Sequence, residues 1–143
     1  MKKNYEDRMK RGQKVLKKMG REGLLGQQKE SYPDLHEMTV GHLFGDVWSR
    51  PHLTLRDRQL ITLAANIALA RPTGNHSHYH SALELGITRE QIMELIIQVG
   101  HYAGWPTIGF ALRQFNKVLK VQAGRKKKPT PKELREMSAA WEQ

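Results

Sequence analysis

Apolar residues recur three and four positions apart along most of the chain, and no segment alternates long enough to read as a strand. The spacing predicts a helix over residues 4–19 with Tyr5, Met9, Val15, Leu16 and Met19 on one broad face, stopped at Gly20. Gly23 and Gly26 mark a loop. Ser31-Tyr32-Pro33-Asp34 then opens a second helix with Leu35, Met38, Leu43 and Phe44, ending before the Trp48-Ser49-Arg50-Pro51 turn. Thr54-Leu55-Arg56-Asp57 is close to a capping box, with Asp where Glu or Gln is usual, so Thr54 reads as an N-cap. From Leu60 to Leu69 the sequence is apolar almost all round, the pattern of a buried central helix. Arg71-Pro72-Thr73-Gly74 breaks it. A short helix from about Asn75 to Leu85 closes at Gly86, a left-handed cap. Thr88-Arg89-Glu90-Gln91 is a full capping box, starting a helix with Ile92, Leu95, Ile96 and Val99 inward. Gly104-Trp105-Pro106 turns the chain into a last long helix, Ile108 to Val121, with Phe110, Leu112, Phe115, Val118 and Leu119 on its apolar face. The expected fold is therefore all-α and compact, with six to seven helices over residues 1–123. Residues 124–143 read as a separate unit. They hold a basic linker, Arg125-Lys126-Lys127-Lys128-Pro129, and a capped terminal helix exposing Leu134, Met137 and Trp141.

Composition narrows the picture. The 143 residues carry 24 Lys+Arg against 14 Asp+Glu, a net charge of +10. The excess sits at the ends: +6 in residues 1–30, +1 across 31–123 and +3 in 124–143. A nucleic-acid reader places such charge on its folded reading element, so nucleic acid is not the expected partner. The start of the chain is charged rather than apolar, and no apolar run approaches the ~18 residues of a membrane span. A cytoplasmic protein is expected. Central helices that are apolar on more than one face favour homo-oligomers. The absence of cysteine removes disulfides, thiolate metal sites and thiol catalysis.

Seven histidines stand out, three of them in Asn75-His76-Ser77-His78-Tyr79-His80. Helical positions two apart point to nearly opposite sides. His76, His80 and Glu84 form one stripe, read as surface because such a set seldom closes a metal tetrahedron. His78, Ala82 and Leu85 form the more apolar stripe, so His78 is the histidine expected to face inward. Arg50, Arg56 and Arg58 cluster at the start of the buried helix. An arginine entering a core needs an anion, either on a ligand or on a protein carboxylate such as Asp46 or Asp57. Gly100-His101-Tyr102-Ala103-Gly104-Trp105-Pro106 offers a phenol and an indole at a tight break, where they can also simply fill the space between two helices. No phosphate loop, dinucleotide fingerprint or nucleophile elbow is present.

Three stretches together resemble the carboxymuconolactone decarboxylase family. They are Gly45-Asp46-Val47-Trp48-Ser49-Arg50-Pro51 with Leu55-Arg56-Asp57-Arg58-Gln59-Leu60; Arg71-Pro72 followed by His78, Ala82-Leu83 and Gly86-Ile87-Thr88; and Tyr102-Ala103-Gly104 with Pro106. The match runs over about residues 30–122. It implies an all-α fold of the alkylhydroperoxidase D type and assembly as trimers or hexamers. The family's thiol branch places two cysteines at the positions of Arg71 and Gly74, and a glutamate at that of Gln59. Without those cysteines its peroxidase chemistry is excluded here. The decarboxylase branch, which often carries glutamate where Gly74 stands, implies cofactor-free removal of CO2 from a small carboxylated lactone or related acid in aromatic breakdown. In 4-carboxymuconolactone the electrons left by CO2 delocalise into the conjugated lactone, so no metal or organic cofactor is required. On this resemblance Arg58 and Arg50 would anchor carboxylates, His78 would donate the proton and Tyr102 would stabilise the oxyanion, with Trp48 and Trp105 beside the substrate. An imidazole of ordinary pKa, near 6.5, suits that donor role. Other readings the residues permit are a relative acting on another small organic acid, and a non-catalytic small-acid-binding or assembly protein.

Overall fold

A computed structural model describes residues 2–23, 25–71, 75–124, 130, 132, 133 and 136. All regular structure among them is helical. The elements are α1 (Lys2–Lys18), α2 (Gly26–Ser31), α3 (Pro33–Glu37), a π-helical segment Met38–Val47 continuing α3, α4 (Leu55–Ala68), α5 (Asn75–Glu84), α6 (Arg89–Ala103) and α7 (Pro106–Ala123). The all-α expectation holds. No described helix is long and apolar enough to cross a membrane.

The local signals act as read. Thr54 caps α4, its hydroxyl accepting from Asp57 N–H at 3.1 Å while the Asp57 carboxylate accepts from Thr54 N–H at 3.2 Å. Thr88 and Gln91 make the same reciprocal pair at α6. Thr130 and Glu133 make a third. The stripe expected after it, Leu134, Met137 and Trp141, lies outside the described residues. Gly86 takes φ +80° and closes α5.

Two apolar cores form. Val15, Leu16, Met19, Val40, Phe44 and Trp48 pack α1 onto the π segment. The elements cross at glycines: a Cβ on Gly12 would strike the Val40 carbonyl, and one on Gly45 the Arg8 carbonyl. That close approach accompanies the change from α to π geometry, where Trp48 N–H donates to Leu43 O five residues back. The second helix is thus not one regular α-helix, and Leu35, Met38 and Leu43 stay exposed while Phe44 is buried. The larger core joins α4–α7 through Leu63, Ile67, Tyr79, Ile92, Ile96, Phe115 and Val118.

The reading of Leu60–Leu69 as buried all round requires correction. Only Gln59, Leu63 and Ile67 of α4 are buried; Ile61 and Leu69 lie on the surface of the single chain. One side of α4 meets α5, α6 and α7, and no described element covers the other. Phe110 of α7 is likewise exposed.

Candidate active site

Helix α5 holds the histidine run between the two cores, and packing on both sides buries more of it than amphipathic spacing suggests. His76 and His80, expected on the surface, are only 5% and 3% exposed. His80 joins the ends of α1 and α7: its Nε2–H donates to Gly20 O, and Gln122 Nε2 donates to its Nδ1, each at 3.3 Å. Among the described residues no three acidic or histidine side chains group to hold a metal.

His78, expected to be the inward histidine, turns toward Trp48 and α4 but is only half-buried, less so than His76 and His80. Its ring stacks on Trp48 with centroids 6.2 Å apart and an interplanar angle of 21°. The amide nitrogen of Gln59, from the second turn of α4, donates to His78 Nδ1 at 3.1 Å. An amide nitrogen can only donate, so this bond selects the neutral tautomer carrying its proton on Nε2. Burial first, and the positive charge of Arg21 second, push the imidazole down to about 3. The ordinary pKa expected from sequence is thereby corrected: in the unliganded protein His78 is neutral across the physiological range. Gln59 Oε1 is buried with no partner among the described residues.

The arginine cluster is arranged differently from either carboxylate pairing considered. Asp46 is taken by α1, accepting from Arg8 Nε at 2.8 Å and from Arg11 Nη2 at 2.9 Å, and these arginines hold its carboxyl below the usual range. Asp57 is engaged by Thr54. Arg58 instead donates from Nη2 to the Arg50 carbonyl at 3.0 Å, and its buried Nε has no acceptor among the described residues. Arg50 is exposed and lines a cleft of about 260 Å³ together with Trp48, Arg11, Lys14 and Lys18. Among the described residues no acidic side chain lines this cleft. Trp48 therefore belongs both to a cationic cleft and to the stack on His78.

Tyr102 and Trp105 do not join this group within one chain. Tyr102 is 87% exposed and Trp105 64%, which corrects the expectation that they fill a gap between helices. Trp105 meets the ring of His101 edge-on at 5.2 Å. Gly104, in an extended left-handed conformation at φ +108°, turns the chain there and leaves both side chains outward.

Sequence reading missed Arg21, counted among the basic surface residues near the chain start. It is buried against the ring of Phe44 and bonded to Ser77 and Ser81, the residues flanking His78 and Tyr79 on α5. A guanidinium next to a stop glycine carries no pattern that distinguishes it from its basic neighbours. Gln59 was placed only as the counterpart of a glutamate, and its bond to His78 links positions 19 residues apart.

An all-helical fold thus sets a neutral histidine on a short helix, stacked on a tryptophan that also lines a cationic cleft. The model of the carboxymuconolactone decarboxylase family matches residues 33–117, and the chain belongs to this family. It is 30% identical over 121 residues to a protein of Acinetobacter baylyi (strain ATCC 33305 / BD413 / ADP1) named 4-carboxymuconolactone decarboxylase, covering 82% of this chain and 90% of that one.

Proposed function

We propose that the protein is a cofactor-independent carboxy-lyase acting on 4-carboxymuconolactone or a closely related small carboxylated lactone in aromatic breakdown. The observation that carries this reading is the placement of His78, half-buried between the Trp48 ring and the Gln59 amide. The family membership and the named function of the relative support the reaction class.

The chemistry needs three things from the chain. Cationic groups hold the substrate carboxylates; Arg50 supplies one at the cleft beside Trp48, and Arg58, bonded to the Arg50 carbonyl, is the second. The C–C bond to the leaving carboxylate then breaks, CO2 departs, and the electron pair spreads through the alkene to the lactone carbonyl. A proton must finally reach the carbanion. A substrate carboxylate close to His78 raises the pKa of the ring and draws a proton onto it. Imidazolium then needs an acceptor at Nδ1. A half-turn of the Gln59 amide presents Oε1, which has no partner among the described residues, so the same glutamine serves both forms of the histidine.

Tyr102 can stabilise an oxyanion only if a second subunit covers it, since it lies on the surface of one chain. Homo-oligomers that cover Ile61, Leu69, Tyr102 and Trp105 would bring that phenol into a closed site. Trimers or hexamers are the proposed states. Release of CO2 from 4-carboxymuconolactone by purified protein tests the reaction. We expect turnover at least hundreds of times the uncatalysed rate, falling to near the uncatalysed rate in His78→Ala. A His78→Ala enzyme with full turnover removes the proton-donor role; no release by the parent protein removes this substrate.

A further inference from the structure

Beyond that reaction, we propose that Arg21 forms the floor of a second ligand site, one that takes a small monocarboxylate with an apolar body. The site is a cleft of about 690 Å³ between α1, the turn after it, and α2–α3. It is distinct from the cleft at Arg50, and its lining does not include His78.

Arg21 is only 7% exposed, yet among the described residues it has no ion pair. Its acceptors are two neutral hydroxyls: Nε donates to Ser81 Oγ at 2.8 Å and Nη2 to Ser77 Oγ at 3.0 Å. Those bonds use two of the five guanidinium N–H groups. Burial pushes the group down to about 10, so it remains charged at neutral pH. A buried charge without a counter-charge is costly, and a guanidinium is shaped to bind a carboxylate through two parallel hydrogen bonds. The contact with Phe44, at 5.9 Å from guanidinium carbon to ring centroid, offsets part of that cost but supplies no anion.

The backbone aims the side chain. Gly20 ends α1 at φ +68°, and Arg21 N–H returns to Leu16 O at 2.8 Å, turning residue 21 inward beneath the helix. A Cβ at Gly20 would lie 2.6 Å from Glu84 Cγ and 3.0 Å from His80 Nε2, so no other residue fits this corner without a shift. The rest of the lining describes the ligand. Leu16, Leu25 and Val40 give an apolar wall, and Lys10 and Lys29 add positive charge. Glu6 and Glu22, both exposed, also border the cleft. Their negative charge disfavours dianions such as phosphate, so a single carboxylate on an apolar body is the class that fits. Because Ser77 and Ser81 hold Arg21 against α5, an anion here also changes the field on the helix that carries His78.

The test is calorimetric titration of the protein with benzoate, its neutral isostere benzamide, and inorganic phosphate at low salt. Benzoate is expected to bind at least tenfold more tightly than benzamide or phosphate. In Arg21→Met, with folding checked by circular dichroism, the preference for benzoate over benzamide is expected to vanish. Replacing a buried charge by an apolar side chain of similar length commonly preserves folding. Should this variant fail to fold, the native protein still decides: benzoate, and not benzamide, must shift the NMR resonance of the Arg21 Nε–H. The site is overturned by equal binding of benzoate and benzamide, by a folded Arg21→Met that keeps the preference, or by an unshifted Arg21 resonance. None of these readouts depends on whether 4-carboxymuconolactone is decarboxylated.

Discussion

The two cores of this small protein do different work. The larger one, between α4 and α7, is filled by Leu63, Ile67, Ile92, Ile96, Phe115 and Val118. The smaller one, between α1 and the π segment, has an equally apolar centre in Val15, Leu16, Met19 and Phe44. Its margin, however, carries Trp48 against His78 and Arg21 against Phe44. Helix α5 separates the two. Tyr79 and Ala82 go to the larger core. Ser77, His78 and Ser81 turn to the polar margin of the smaller one, where Arg21 and Trp48 meet them. Stability is built where the helices meet dryly, and titratable groups are held where packing admits charge.

That contrast can be broken experimentally, and the strongest blow falls on the larger core. Phe115 is buried against Tyr79 with ring centroids 5.1 Å apart. Phe115→Ala is expected to cost about 3–5 kcal/mol in urea unfolding. Where the native state is still populated, Trp48 fluorescence should be unchanged; a shifted Trp48 signal would mean the two cores are not separate.

The smaller core is limited by backbone approach rather than by side-chain volume. Gly45→Ala forces a methyl against the Arg8 carbonyl. The expected loss is roughly 1–3 kcal/mol, accompanied by a change in Trp48 fluorescence that Phe115→Ala does not produce. Wild-type stability in Gly45→Ala would show that the crossing has slack.

Protonation makes the smallest and sharpest distinction. The folded pKa of His78, about 3, lies below its unfolded value near 6.5. Between those values the unfolded chain binds the extra proton. Stability is therefore full above pH 6.5 and falls on acidification toward pH 3, by at most about 1.4 kcal/mol per pH unit for this one group. Urea melts at pH 7, 6 and 5 should show the fall, and His78→Gln should flatten it. An unaltered slope in that variant would mean that His78 does not carry the acid sensitivity. By the same sign, Gln59→Glu puts a carboxylate against Nδ1 and should raise the His78 pKa, read directly by NMR titration.

Much of this was legible in the chain itself. Capping boxes at Thr54 and Thr88, glycine stops at Gly20 and Gly86, and three-and-four spacing are local signals, and each acts within a few residues. The same periodicity ranked His78 as more inward than His76 and His80, and the structure reverses that order. The burial of His76 and His80 did not follow from it, because hydropathy along one helix cannot report that two other elements cover its second side. Nor could spacing show that Asp46 is claimed by Arg8 and Arg11, which are 38 and 35 residues away.

The sequence alone determined the helical class, the capped starts of α4 and α6 and the family, since these rest on local hydrogen-bond chemistry and on residue order. Tertiary structure alone decided the charge state of His78, its partnership with Gln59 and the burial of Arg21. Each of those is an electrostatic property of a cavity, created when distant segments exclude water together.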